Sequence, residues 1–510
     1  MALEQLISDL SINKDSKSED ISVVCVLSEI QERLDGTADS GTERILSTIT
    51  EVFRLGSVSW LFPEFSSQLK IGYVNLMNSC IRHPHLPVCD TDSGTLPPSS
   101  YKHIPARARS VCAVLQALTH QLGVALNSGD PTSTSTAKSL IRTIYPTVCI
   151  FSITHLQDQT WTDENSRKCA LQLLRSLITS AGSGSVLEML CGDDGVENKG
   201  MFGSILDLLL PKLTKENWKQ NEAMKHVFSW LLVQVGRPWL ADYLEKVFPP
   251  SLLISDDYRT KNKVLGVHCL HHIVLNVPAA ELRQFNRAQV LYDALFNHLY
   301  TSEAPLIQVV LPCLIDLLSV LEKPLSHTGL PRKPNRFDVV LRLVLTHMEM
   351  EHKVALRRIY ASNLLLFIEK MGIGVVWHLK RLERVIAGYL EVSDGPEERA
   401  RLSILEVLKR TIQCAWPRME CRVDVLARNL LRFLVDVSSD SLDPELTDEL
   451  LNRASRCLLL LNHCSCGKLM DGLKEVDSSC VSERVLKCIQ EITKAESVRA
   501  EHCSPEQHSM

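Results

Sequence analysis

The sequence predicts an all-α protein, an α-solenoid built of HEAT-like helical hairpins. Apolar residues recur at the spacing of amphipathic helices, and no segment shows the alternating β-branched pattern of a sheet of any size. Aromatic residues make up only 5% of the chain, which suits a helical protein better than a β-sandwich. The chain has 510 residues, too many for one hydrophobic core unless the core grows by stacking repeats.

The N-terminal half is predicted to be a helical array with polar interruptions. Residues 1–41 are polar and acidic, and we expect weak order there. Residues 42–250 form the predicted N-terminal array, whose loops are rich in proline and serine. The stretch 127–136 is too polar to pack and is predicted to be a loop, and Pro249-Pro250 is expected to break the chain at the boundary to a second array. The predicted helices of this half are 43–55, 66–81, 106–126, 138–151, 165–179, 205–213, 223–235 and 240–247.

The C-terminal half, residues 251–497, shows a more regular repeat, followed by a flexible tail at 498–510. Helices that open a hairpin are predicted to begin near Asn262, Ala304, Val354, Glu397 and Pro444, at intervals of roughly 40–50 residues. Their partner helices are predicted near Leu291, Phe337, Trp377, Val423 and Val485. Pro396 and Pro444 are each placed in the first turn of a helix, and Gly372 is predicted to end one. These signals predict an array of stacked helical pairs.

The seventeen cysteines are predicted to be reduced thiols. No basic and then apolar leader is present at the N-terminus, so export and disulfide formation are not expected. No apolar run is judged to approach the ~20 residues that span a bilayer. The formal net charge of −5 gives no general attraction to nucleic acid or to anionic membranes. We therefore expect a protein of the cytoplasm and the nucleus that binds neither.

Two groups of residues resemble metal ligands. His268 and His272 lie one helical turn apart in the segment HCLHH, with His271 beside them, but Cys269 stands where a zinc protease requires glutamate. The second group is the densest set of thiols and consists of Cys457, His463, Cys464, Cys466 and Cys480. It contains one CxC and no matching pair of cysteines. Helix histidines and buried thiols explain both groups better than a metal does, although a metal protein remains an alternative.

No motif for catalysis or cofactor binding is present. The pairs Gly182–Gly184 and Gly372–Gly374 are too short for a dinucleotide fingerprint, and the chain contains neither GxxxxGK[ST] nor GxSxG. No cysteine and histidine occur in a recognisable protease context. We therefore predict a protein that is not an enzyme and has no cofactor.

Four arginines are the candidate partner-binding residues. Arg357 and Arg358 lie on one helix of a predicted hairpin, and Arg381 and Arg384 lie on the other. Equivalent helices line up in a solenoid, so these residues would form a basic ridge that binds an acidic protein. Nucleic acid is a poorer fit because no aromatic residues are interleaved for stacking. Reversing these four charges is predicted to release the partner without unfolding the protein.

Four segments resemble the second Tel-Two-interacting protein family. They are KNKVLGVHCLHHIVLNVP (261–278), LIDLLSVLEKP (314–324), RFDVVLRLVLTHMEMEHKVALRRIYASNLLLFIEKMG (336–372) and WHLKRLERVI (377–386). The resemblance covers the C-terminal two-thirds well and the N-terminal third loosely. It depends on extended similarity, because the segments contain no catalytic signature.

The resemblance implies a non-enzymatic HEAT-like subunit, the smallest of three in the Triple T (TTT) complex. Such a subunit would act with the two other TTT subunits, the ninety-kilodalton heat-shock chaperone and a RuvB-like ATPase co-chaperone. The implied clients are phosphatidylinositol-3-kinase-related kinases such as mTOR, ATM and ATR, which link the complex to DNA-damage checkpoints and growth signalling. The alternative is a transport or nuclear-import solenoid that binds peptide cargo, for which a strongly acidic inner face would be expected.

Overall fold

The computed structural model describes residues 22–37, 39–89, 96–192, 200–322, 333–440, 442–469, 473 and 482–502. The chain divides into two compact units, Met1–Ile254 and Ser255–Met510. Each unit is an α-solenoid of stacked helical hairpins, and its described residues contain no strand. The predicted fold class is confirmed.

The first unit places its long helices in two layers. Its helices are α1 (Val23–Gly36), α2 (Asp39–Leu55), α3 (Val58–Leu61), α4 (Ser67–Arg82), α5 (Ile104–Leu126), α6 (Pro131–Leu156), α7 (Glu164–Ser180), α8 (Val186–Cys191), α9 (Phe202–Leu209), α10 (Glu222–Gln234) and α11 (Leu244–Ser255). Helices α2, α5 and α7 pack side by side in one layer. Helices α1, α4, α6 and α10 form the other layer, and the core lies between the two.

Helix α1 corrects the prediction of weak order over residues 1–41. Ser22 caps the helix by accepting a hydrogen bond from the backbone N–H of Val24. One face of α1 is buried, including Val26 and Ile30, because it packs on α4. The short apolar patches of this segment were sufficient for a helix once α4 supplied a partner surface. Residues 1–21 lie outside the described residues, as do residues 503–510 of the predicted tail at 498–510, whose first part continues the helix that ends at His502.

Helix α6 corrects the prediction of a loop at 127–136. Asp130 is the N-cap, and its carboxylate accepts hydrogen bonds from the N–H groups of Thr132 (3.2 Å) and Ser133 (3.0 Å). Pro131 occupies the first turn, where its missing N–H costs nothing. The Thr136 hydroxyl is buried and donates to the Pro63 carbonyl at 2.7 Å. Polar residues therefore pack here because the helix cap and the neighbouring loop accept their hydrogen bonds.

Helix α11 corrects the prediction of a chain break at Pro249-Pro250. Both prolines lie inside the helix. Each removes one backbone donor, which weakens a helix but does not end it when its apolar face is packed. Val247 and Ile254 are fully buried, and the Ser251 hydroxyl donates to the Val247 carbonyl at 2.7 Å. Packing thus holds the helix through the two prolines.

The second unit contains five consecutive hairpins in its described residues. Its helices are α12 (Thr260–Asn276), α13 (Ala279–Arg283), α14 (Arg287–His298), α15 (Ala304–Leu321), α16 (Arg336–Met350), α17 (Val354–Met371), α18 (Leu379–Glu391), α19 (Arg399–Ala415), α20 (Val423–Ser439), α21 (Pro444–Cys464) and α22 (Glu483–His502). Helices α12, α15, α17, α19 and α21 stack in a first layer. Helices α14, α16, α18, α20 and α22 are their hairpin partners and form the second layer.

The predicted hairpin openers agree with the first layer to within two residues. Gly372 ends α17 with φ 52°, a conformation that glycine adopts at little cost. Pro444 opens α21 as predicted, with Asp443 as the cap. Pro396 does not open a helix, because α19 begins at Arg399 and the preceding loop is occupied by a buried polar network described below.

Two described segments, Ala304–Leu321 and Val354–Glu391, are long and apolar enough to cross a membrane by length and composition alone. This corrects the judgement that no run approaches that length. In the structure α15 contacts α12, α14 and α17, and its apolar side chains fill the space between them. Burial on several sides explains why the helix is apolar around most of its circumference.

Candidate functional site

The three histidines of the HCLHH segment on α12 lie in different environments. Nε2 of His271 lies 2.9 Å from an Asp316 carboxylate oxygen on α15, and Nδ1 of His272 lies 3.2 Å from the side-chain nitrogen of Asn276. His268 points to the exposed side. Within the described ranges, no three His, Cys, Asp or Glu side chains are grouped to hold a metal ion. The arrangement fits histidines that join α12 to α15.

The thiol group around HCSC is spread over different environments. Cys457 is buried in α21, its thiol lies 3.5 Å from the Leu405 carbonyl, and burial raises its pKa to about 12. Cys464 is half-buried at the end of the same helix, whereas Cys466 is exposed in the following turn. Cys480 lies outside the described residues. A protonated, buried Cys457 is a poor metal ligand, because zinc binds the thiolate.

The structure buries Arg357, which was predicted to lie on an exposed basic ridge. Its side chain is only 8% exposed, and its guanidinium lies 3.9 Å from the centre of the Tyr389 ring. It donates hydrogen bonds to the carbonyls of Gly388 (3.3 Å) and Glu351 (3.4 Å). Arg357 therefore fastens α17 to α18 and presents no charge to a partner.

Arg358 belongs to a buried polar network that the sequence did not reveal. Its Nε lies 2.7 Å from the Asp394 carboxylate, and a second nitrogen lies 3.1 Å from Glu397. Asp394 is 3% exposed and also accepts from the backbone N–H groups of Ala400 (3.0 Å) and Arg401 (3.2 Å). One carboxylate thus caps α19 and holds an arginine of α17.

Glu398 and Arg401 complete this network. Glu398 is fully buried in a left-handed conformation with φ 49°, where it accepts from the Ser393 hydroxyl and the Asp394 N–H. Arg401 is 3% exposed and lies 3.5 Å from Glu398. The buried charges compensate one another, which a buried ion pair requires. In the sequence, the segment SDGPEER shows turn-forming and charged residues. Their burial depends on the folded chain and is not visible in the segment itself.

Arg381 and Arg384 lie on α18 and share one acidic partner on α16. Arg381 donates to the Thr346 hydroxyl at 2.9 Å and lies 3.2 Å from Glu349. Arg384 lies 3.4 Å from the same carboxylate, and 63% of its side chain is exposed. Of the four predicted arginines, Arg384 is therefore the one most available to a partner, and its binding role stays a prediction. Reversing all four charges is now expected to unfold this region, because Arg357 and Arg358 are structural.

A cleft of about 250 Å³ adjoins these residues. Its basic and aromatic walls are formed by Arg342, Trp377, Lys380, Arg381 and Arg384. At its base Nε2 of His378 lies 2.9 Å from Asp338, and both residues are buried. The Asp338 carboxylate also accepts from the Asn335 N–H in a capping box that begins α16. The cleft therefore has a fixed base and a cationic rim.

A second cavity, of about 310 Å³, lies in the first unit. Its walls include Tyr101, Phe151 and Trp161, and the Trp161 indole donates to the Thr154 carbonyl at 2.9 Å. His155 is buried beside Phe151, with ring centres 4.8 Å apart. Its Nδ1 has no hydrogen-bond partner among the described residues, and burial lowers its pKa to about 4. The cavity is an apolar one with a neutral imidazole in its wall.

The buried His155 predicts that the first unit loses stability in acid. The unfolded chain takes up a proton on this imidazole near its ordinary pKa of 6.5, whereas the folded unit does so only near 4. Unfolding is therefore favoured progressively as the pH falls from about 6.5 to about 4, and the contribution is absent above that range. We expect His155→Phe, which leaves no Nδ1 unpaired, to flatten the pH dependence of urea unfolding between these values. An unchanged slope would contradict this origin. Part of the slope should remain, because burial and the neighbouring Lys225 lower the pKa of His226 to about 4 as well.

Comparison with solved structures finds chains of low sequence identity that superpose on this one. The crystal structure of Kap121p superposes over 92% of this chain and 42% of its own, with a TM-score of 0.46 and 12% sequence identity. At that similarity the superposition supports no conclusion about function. The fold assignment depends on the hairpin arrays described above.

Sequence comparison gives much stronger matches. Human TELO2-interacting protein 2 is 55% identical over 351 residues, which are 68% of this chain and 68% of the human protein. The mouse protein of the same name is 47% identical over 395 residues, covering 77% of this chain and 76% of the relative. The model of the Tti2 family matches residues 206–397, which include the cleft and most of the polar network. Identity at this level over more than two-thirds of each relative confirms the resemblance seen in the sequence: the chain belongs to the Tti2 family.

Proposed function

We propose that this chain is a non-enzymatic scaffold subunit of the TTT complex. The observation that carries the proposal is the identity of about half of the residues to proteins named for interacting with TELO2. A subunit of this kind would bind the two other TTT subunits directly. Through these subunits it would associate indirectly with the ninety-kilodalton heat-shock chaperone and the RuvB-like ATPase co-chaperone.

The clients in this proposal are the phosphatidylinositol-3-kinase-related kinases, including mTOR, ATM and ATR. The scaffold would support their maturation and steady-state level, and thereby DNA-damage checkpoints and growth signalling. The proposed location of the chain is the cytoplasm and the nucleus. An adaptor of this type needs surface for several partners at once.

The architecture is compatible with this role. Stacked hairpins create long, continuous surfaces in which each hairpin contacts mainly its neighbours. The buried thiols do not suit nucleophilic catalysis, since burial raises the pKa values of Cys112, Cys149 and Cys313. These observations support a scaffold without requiring chemistry from any side chain.

The proposal is tested by isolating the tagged protein from cultured cells at near-natural abundance, followed by quantitative mass spectrometry. We expect two large helical proteins at amounts about equal to the tagged chain, and related kinases at lower amounts. Depleting the chain should lower the level of these kinases, and the untagged wild-type chain should restore it. A cell line expressing the tag alone is the control.

Two outcomes would overturn the proposal. Recovery of no partner in equal amount would exclude a stable complex. Recovery dominated by basic import cargo would favour the transport alternative. In either case family membership would stand, because it depends on sequence identity and not on these partners.

A further inference from the structure

The outer face of the second layer in the second unit carries a series of exposed cations. Helices α16, α18 and α20 pack side by side, so their outer surfaces are continuous. The exposed cations are Arg342 on α16, Lys380 and Arg384 on α18, and Arg428 and Arg432 on α20. On α18 and α20 the two cations are four residues apart and therefore share one helix face. We call these five residues the basic stripe.

The basic stripe is poorly neutralised by the protein itself. Among the described residues, Arg342, Lys380, Arg428 and Arg432 have no ion-pair partner, and Arg384 shares Glu349 with Arg381. Like charges one turn apart on a helix repel and lower its stability. An acidic partner would relieve this repulsion on α18, whereas on α20 the exposed Asp424 and Asp436 lie four residues from Arg428 and Arg432.

Exposed apolar side chains accompany the cations of the stripe. They are each three residues from a cation, and they are Val339, Trp377, Val425 and Val435, exposed by 48%, 54%, 43% and 42%. Three of the four are aliphatic, which suits the side chains of a protein better than the bases of a nucleic acid. Apolar contacts within a charged frame are typical of protein interfaces.

We propose that the basic stripe binds an acidic segment of a protein partner, in which aspartate or glutamate residues alternate with apolar ones. The carboxylates would meet the cations, and the apolar side chains would cover the valines and Trp377. The cleft between α16 and α18 lies beside Trp377 and accommodates one side chain. The proposal rests on the scaffold function for the identity of the partner in cells, and it adds the surface and its chemistry.

A variant with four charge reversals tests the surface directly. It combines Arg342→Glu, Lys380→Glu, Arg428→Glu and Arg432→Glu, all at exposed positions without an ion pair to a described residue. The matched control reverses four exposed cations on or beside first-layer helices that also lack an ion pair to the described residues, namely Lys261→Glu, Lys353→Glu, Lys370→Glu and Arg456→Glu. Circular dichroism checks that both full-length variants are folded. If the charge-reversed stripe variant does not fold, a variant with alanine at the same four positions is measured in its place.

The binding probe is a fluorescent peptide of glutamate and leucine, measured by anisotropy with the purified full-length chain. We expect the stripe variant to bind it at least about tenfold more weakly than wild type, and added salt to weaken the wild type. The control variant should bind like wild type. The proposal would be overturned if both variants bound the peptide more weakly to the same degree. It would also be overturned if the stripe bound single-stranded RNA more tightly than it binds the peptide.

Isolation from cells separates the two proposals. If the wild-type chain recovers its partners and the stripe variant loses one of them, both proposals stand. If the stripe variant recovers every partner as the wild type does, the stripe proposal fails and the scaffold proposal survives. If the wild-type chain itself recovers no partner in equal amount, the scaffold proposal fails, and peptide binding alone then decides the chemistry of the stripe.

Discussion

Asp394→Ala is expected to lower the free energy of unfolding of the second unit by about 3–5 kcal/mol, the usual effect of breaking a buried ion pair. The substitution removes the 2.7 Å contact with Arg358 and leaves that charge with Glu397, which is half exposed. It also removes the acceptor for two backbone N–H groups at the start of α19. These groups are buried, so water does not replace the lost carboxylate.

Glu397→Ala is the matched control, because Glu397 binds the same arginine from a more exposed position. Its loss should cost less than about 1 kcal/mol, as for other exposed ion pairs. Urea unfolding gives the free energy, and hydrogen exchange of peptides from α17 and α19 locates the loss. Equal effects of the two substitutions would show that burial does not strengthen the Asp394 contact.

Trp161→Ala is expected to destabilise the first unit by about 3–5 kcal/mol, as for other buried aromatic truncations. Trp161 is 1% exposed and packs with Tyr101, Ile104 and Ala223 in one apolar cluster. Its ring lies 5.9 Å from the ring of Tyr101, and its N–H is satisfied by the Thr154 carbonyl. The substitution enlarges the neighbouring cavity and leaves a buried carbonyl without this donor.

Two further substitutions separate the causes. Trp161→Phe keeps most of the packing and loses the hydrogen bond, so an intermediate loss is expected. Trp416→Ala removes an indole that is 65% exposed and should change stability by no more than about 0.5 kcal/mol. Urea unfolding followed by the fluorescence of the remaining tryptophans provides the measurement. A small effect of Trp161→Ala would mean that the cluster collapses around the missing ring.

The repeat architecture could be predicted from the sequence, because each hairpin opener combines a helical apolar period with a local start signal. The spacing of α12, α15, α17, α19 and α21 was therefore recognisable before any contact was known. The first turns of the helix that begins at Pro131 and the continuation of a helix through Pro249-Pro250 were not predicted. Both depend on partners outside the segment, namely the carbonyl of Pro63 and the packing around Val247 and Ile254.

The site residues were harder to predict for the same reason. The charges of Arg357 and Arg384 look equivalent in the sequence, yet the fold buries one over Tyr389 and exposes the other. Asp394 and Glu398 look like residues of a solvated turn and become the most buried carboxylates of the second unit's polar network. Burial of a charge is decided by distant segments, which a local pattern does not contain.

Helix α15 has a consequence for the quality control of this protein. Its strongly apolar composition is tolerated because neighbouring helices cover it on several sides. A chain that ends before α17, through a premature stop or proteolysis, would leave that apolar surface open to water. Such a fragment would expose a contiguous apolar patch of the kind that chaperones and proteases recognise. The second unit therefore links the survival of the polypeptide to completion of its repeat array.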